Sequence, residues 1–180
     1  MSEYLTGENA NRFVQRSECK DINDFYEKHL STIWFVNEID MTEDHVDWVK
    51  MPPNEKHFIK MVLAFFAASD GIVMENIGIR FYQDVQIPEA RLFYSVQLMM
   101  EGIHSITYSR LIETLVQDEK EKDILFNAVQ GFPSIQRKAD WAIKYIQSSD
   151  SFATRLVAFA CVEGVFFSGS FCSIFWLNER

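Results

Sequence analysis

Glycine and proline are scarce, 7 and 4 in 180 residues, too few for the many turns of a sheet protein. Basic charge is also short. Lys and Arg number 17 against 26 Asp and Glu, giving a formal net charge of -9 and a pI near 4.9. A nucleic-acid partner is therefore excluded, because such binding relies on cations that neutralise phosphates. The three cysteines, Cys19, Cys161 and Cys172, form no Cys-x-x-Cys and are odd in number. The last two lie in an apolar run, where a thiol behaves as a small hydrophobe, so a reducing, cytoplasmic setting is expected. The opening Met1-Ser-Glu-Tyr-Leu-Thr-Gly-Glu has neither a basic leader nor an apolar core, so no secretory signal is expected. Internal repeats, low-complexity tracts and dividing linkers are absent as well.

What is present is apolar and helical in period. With 48% hydrophobic residues the chain can bury a real core as one domain. Residues 1–25 read as a polar, extended arm and residues 26–180 as an all-α bundle. Within the bundle, Tyr26 to Ile33 reads as a short helix, and Thr42 with Asp44 starts another that ends before Pro52. Pro52-Pro53-Asn54 opens a long helix over about 54–83, and Pro88 a second to about Gln117. Helices at about 119–130 and 134–147 follow, and Ser151 caps a last one over about 152–178. The stretch Leu156–Leu177 carries one charge, Glu163, and is long enough to cross a bilayer. An acid near its centre and equally apolar sister helices favour a central helix of a soluble bundle, so no membrane is expected.

The most informative spacing is Glu101, His104 and Tyr108. At about 100° per residue, His104 lies roughly 300° and Tyr108 roughly 700° from Glu101, so all three share one sector of a helix. Phe93, Leu98, Met99, Met100, Ile103, Ile106 and Leu111 surround them, and burying an unpaired carboxylate costs several kcal/mol. A lone Glu-x-x-His leaves a hydrogen-bonded pair and a metal site both open. Two more acids interrupt apolar helices, Asp70 after Ala-Phe-Phe-Ala-Ala-Ser and Glu163 after Ala-Phe-Ala-Cys-Val. Acids are rarely buried without a partner. Three that converge share a cation most simply, and oxygen with imidazole donors suits iron or manganese. Glu75, five residues past Asp70 and about 500° round, faces elsewhere. Trp48, Trp141 and Trp176 read as core or boundary aromatics, His45 and His57 as solvated, and Asp118-Glu-Lys-Glu-Lys-Asp123 as an exposed helix start.

Over about residues 25–180 the chain resembles the small, radical-generating subunit of class I ribonucleotide reductase, in its eukaryotic branch. The blocks that carry the resemblance are Leu63-Ala-Phe-Phe-Ala-Ala-Ser-Asp-Gly-Ile-Val73, Val85-Gln-Ile-Pro-Glu-Ala-Arg91, Lys138-Ala-Asp-Trp-Ala142 and Val157-Ala-Phe-Ala-Cys-Val-Glu-Gly-Val-Phe-Phe-Ser-Gly-Ser-Phe171. It implies a ferritin-like helical bundle with two iron ions, manganese being the alternative metal. Asp70, Glu101 and His104 would ligate one iron, with Glu101 bridging to a second held by Glu163. Tyr108 would bear the radical, Phe167 and Phe171 would shield it, and Trp34 would relay an electron between surface and metal. The implied partners are the large subunit, which binds the ribonucleotide, and a second small subunit in a homodimer or heterodimer.

The resemblance is incomplete. The family's second Glu-x-x-His lies beyond the helix that holds Glu163, and none follows here. The bundle is therefore expected to be incomplete at its C-terminal end, as a fragment of a longer protein, with Phe166, Phe175 and Trp176 short of cover. By itself such a chain is expected to be inactive. Two other readings stay open: a different ferritin-like di-metal oxidase, and a truncated or regulatory subunit without catalysis.

Overall fold

Proline placement sets the frame. Pro53, Pro88 and Pro133 each occupy the first turn of a helix, where the missing N–H is not needed and the fixed φ is already helical. The structure is a computed structural model that describes residues 6–9, 11–15 and 18–179. Helix α1 spans Lys20–Leu30, a short 3-10 turn Val36–Glu38, and α2 Asp44–Lys50. Helix α3 runs from Pro53 to Asp84, passing through a π-helical turn at Ile77–Phe81. Helix α4 is Pro88–Leu115, α5 Glu119–Phe126, α6 Ala128–Gly131 and α7 Pro133–Gln147. Helix α8 covers Phe152–Asn178, with a second π-helical turn at Val162–Phe167. No strand occurs among the described residues.

The two longest helices, α3 and α4, pack against each other, and α1 lies along α4. Their seam is apolar: Phe65, Phe66, Val73, Ile77 and Phe81 of α3 and Ile112 of α4 are buried. Phe81 stacks on Tyr94 at 5.7 Å and meets Phe159 edge-on at 5.0 Å, which joins α8 to that seam. Polar fasteners fix the ends. Arg155 of α8 pairs with Asp84, the last residue of α3, and Arg80 donates to the carbonyls of Ile146 and Ser148 at the end of α7. Ser151 accepts from Thr154 N–H at 3.2 Å, and Asp118 accepts from Glu121 N–H at 2.8 Å, each capping its helix.

Several expectations need correction. Helix α1 starts at Lys20, not Tyr26, so it takes in the end of the expected arm (1–25); of that arm, residues 1–5, 10, 16 and 17 lie outside the described residues. The stretch 119–130 is two helices broken at Asn127. The Thr42 hydroxyl binds the Asp40 carboxylate at 2.7 Å instead of capping α2. His45 is half-buried, with Nδ1 out of water. Met99 and Ile106 are exposed on the outer side of α4. Phe175 and Trp176 are exposed, whereas Phe166 is half-buried and packs on Trp141 at 5.4 Å. Two helices, not one, are long and apolar enough to cross a bilayer: Pro53–Asp84 and Phe152–Asn178. The first is a core helix of this bundle.

Candidate metal centre

Helices α3, α4 and α8 deliver the acids. Asp70, on the α3 face that carries Phe66 one turn earlier, is 1% exposed, and both its oxygens are buried without a hydrogen-bond partner. Glu101 is buried on the facing side of α4, and His104 Nδ1 lies 3.2 Å from Glu101 Oε2. One donor atom each from Asp70, Glu101 and His104 lies within 4.8 Å of the other two. Glu163, in the π-helical turn of α8, is half-buried with Oε1 out of water and unpartnered. It stands outside that 4.8 Å group but acts on the same space.

The electrostatics make this plain. Desolvation, then the charges of Glu101 and Glu163, push the Asp70 carboxyl up to about 8. Desolvation and Glu101 push Glu163 up to about 7. Three mutually repelling acids, two of them with unpartnered buried oxygens, are an unstable arrangement alone. A multiply charged cation removes both the repulsion and the missing contacts, and the oxygen and imidazole donors fit iron or manganese. No sulfur stands in the group.

Tyr108 follows His104 by one turn, with ring centroids 6.5 Å apart. Burial, then the charges of Asp70 and Glu101, raise its phenol far above the usual range, so it is protonated at neutral pH. Its ring stacks on Phe66 at 4.8 Å. Phe66 in turn touches Phe167 at 5.6 Å and Phe171 at 4.8 Å. Phe167 is buried, whereas Phe171 is 37% exposed. The aromatic wall is thus centred on Phe66, which the sequence alone marks only as one more apolar residue of its helix. A signal was present, since Phe66 precedes Asp70 by four residues and shares its face. Trp34, after α1, places its indole 5.9 Å from the His104 ring. Glu75 is exposed and takes no part.

The sequence matches the family described as "Ribonucleotide reductase, small chain" over residues 12–180. It is 57% identical over 180 residues to the "Ribonucleoside-diphosphate reductase small subunit" of Dictyostelium discoideum, covering 99% of this chain and 53% of that protein. It is 55% identical over 181 residues to the "Ribonucleoside-diphosphate reductase small chain" of Trypanosoma brucei brucei, covering 100% of this chain and 54% of that one. Its fold overlays that of the ribonucleotide reductase Rnr4 homodimer from Saccharomyces cerevisiae with a TM-score of 0.86 at 32% identity, over 98% of this chain and 57% of that one. The chain spans about half the length of the curated relatives it matches. Its helices form the ferritin-like bundle of those proteins, and the chain belongs to the ribonucleotide reductase small-chain family.

Proposed function

We propose that the protein containing this chain is the small subunit of ribonucleoside-diphosphate reductase and oxidises Tyr108 to a radical used in reducing ribonucleotides to deoxyribonucleotides. The observation that carries this reading is a half-buried phenol one turn past His104 and under the charge of Asp70 and Glu101, which with His104 bring their donor atoms within 4.8 Å of one another. Asp70, Glu101 and His104 would hold one iron and Glu163 would contribute to a second, with manganese the other metal the donors accept. Iron bound there would supply one-electron oxidation, with dioxygen as the oxidant. Asp70 and Glu101 are the charged groups that act on the Tyr108 phenol. Phe66 and Phe167 keep water from the oxidised ring, and Trp34 on His104 provides a route for an electron from outside.

The ribonucleotide would bind a large partner subunit, and a second small subunit would complete a homodimer or heterodimer. The unpaired Cys161 and Cys172 fit a reducing cytoplasm. In a full-length small chain carrying this sequence, Tyr108→Phe is expected to keep its iron but lose the tyrosyl signal in electron paramagnetic resonance and lose turnover. An undiminished signal would refute the assignment. A di-metal oxidase of another kind would turn over without Tyr108.

A further inference from the structure

The segment that carries Trp34 is tied to α4 at two points. The indole packs on the His104 ring at 5.9 Å, and three residues on, Asn37 Oδ1 accepts from Arg110 Nη1 at 3.1 Å. Both anchors stand on α4, six residues apart, which is about 9 Å along its axis, and Tyr108 lies between them. The piece that joins Trp34 to Asn37 is closed on itself. Glu38 N–H donates to the Phe35 carbonyl at 2.8 Å, and the Glu38 carboxylate accepts from the Phe35 N–H at 2.8 Å. What is fixed at Asn37 is therefore passed on to Trp34. Burial holds this segment only weakly, since Phe35 and Ile39 are 59% and 41% exposed, and a segment with little buried area opens readily unless it is fastened. A ring contact alone would let it pivot. Arg110 also stands more than a turn before the end of α4 at Leu115, so the helix dipole does not account for a cation there.

We propose that Arg110 is a positioning residue for electron transfer: through Asn37 it seats the Trp34 indole against His104. The proposal rests on the relay role given to Trp34 above. In that role Trp34 passes one electron inward from an outside donor, and the oxidised Tyr108 takes that electron with one proton to become the phenol again. Transfer between rings falls steeply with their separation, so a Trp34 that swings away from His104 slows the step and leaves Tyr108 and the acids untouched. The competing role for Arg110 is that of a solvated charge on the outer face of α4. That role would change neither the rate nor the mobility of the Trp34 segment.

The test uses a full-length small chain carrying this sequence, loaded with iron, in which the Tyr108 radical is formed in air and then reduced by the methyl viologen radical cation, a one-electron donor. Decay of the electron paramagnetic resonance signal gives the rate. Arg110→Ala and Asn37→Ala are each expected to slow it about threefold or more, and the double variant no further. Arg110→Lys, which keeps a donor, recovers most of the rate, and iron content and signal shape stay as in the wild type throughout. A second measurement needs no metal: in the chelator-treated chain, amide exchange over residues 34–39, followed by mass spectrometry, should quicken by about the same factor in Arg110→Ala. A wild-type value of either quantity in Arg110→Ala, with decay slowed in Trp34→Phe, overturns the proposal and leaves the relay standing. Additive slowing in the double variant also overturns it, as does loss without recovery in Arg110→Lys. Wild-type decay in Trp34→Phe overturns the relay reading itself.

Discussion

Removing one acid should stabilise the chain once a chelator has stripped its metal. The perturbation is Asp70→Asn. In the unfolded chain the Asp70 carboxyl ionises near its ordinary 3.8, whereas in the fold it holds its proton up to about 8. A raised carboxyl works against folding as pH rises: its contribution is intact below 3.8, falls between there and 8, and is level above. At pH 7 the unfolded chain has released this proton and the folded chain has not, at about 1.4 kcal/mol per pH unit, so the loss is roughly 4 kcal/mol. Against it stands the burial of an amide with no partner, about 1–3 kcal/mol. Neither Asp70 oxygen has a hydrogen bond to lose. The expected net gain is about 1–3 kcal/mol at pH 7, a sizeable part of a typical stability of about 5–15 kcal/mol. Urea unfolding in the presence of chelator from pH 4 to 9 measures it. The wild type should lose stability across that window and Asp70→Asn should follow a flatter course, whereas added Mn(II) should stabilise the wild type only. An Asp70→Asn chain that is less stable at pH 7, or that keeps the wild-type pH slope, would refute the reasoning.

Phe66→Ala should cost about 3–5 kcal/mol, clearly more than Phe171→Ala, because Phe66 is fully buried among four aromatic rings and Phe171 is 37% exposed; equal urea midpoints would contradict this. Asp84→Asn should cost about 3–5 kcal/mol, since it leaves the buried Arg155 guanidinium without its carboxylate; thermal unfolding of the variant checks it, and a loss near zero would mean that water reaches Arg155.

The helices were legible because their signals are local. Prolines mark three starts, Ser151 one more, and apolar period supplies the lengths. The Glu101, His104 and Tyr108 face was legible for the same reason, as one helix places all three. What lay across helices was harder to read. Phe66 ranks among many apolar residues of α3 until Tyr108 and Phe167 arrive from other helices to stack on it. A regular helical step puts Phe167 and Phe171 on the face of Glu163, yet Glu163 sits in a π-helical turn, which takes more residues per turn and shifts the register beyond it. Phe167 is carried inward and Phe171 left partly in water.

The site's two electrostatic oddities have one origin. Desolvation is the first cause of the raised carboxyls of Asp70 and Glu163 and also of the raised phenol of Tyr108. The acids raise the phenol further, through Asp70 and Glu101. The desolvation that raises the Tyr108 phenol therefore also frustrates the neighbouring acids, and solvating them would wet the phenol as well. A cation resolves the acids' conflict without admitting water, so metal affinity and phenol protection rise together with burial. The aromatic wall of Phe66 and Phe167 serves both: opening it should weaken metal binding at Asp70 as well as lower the Tyr108 phenol towards its ordinary range.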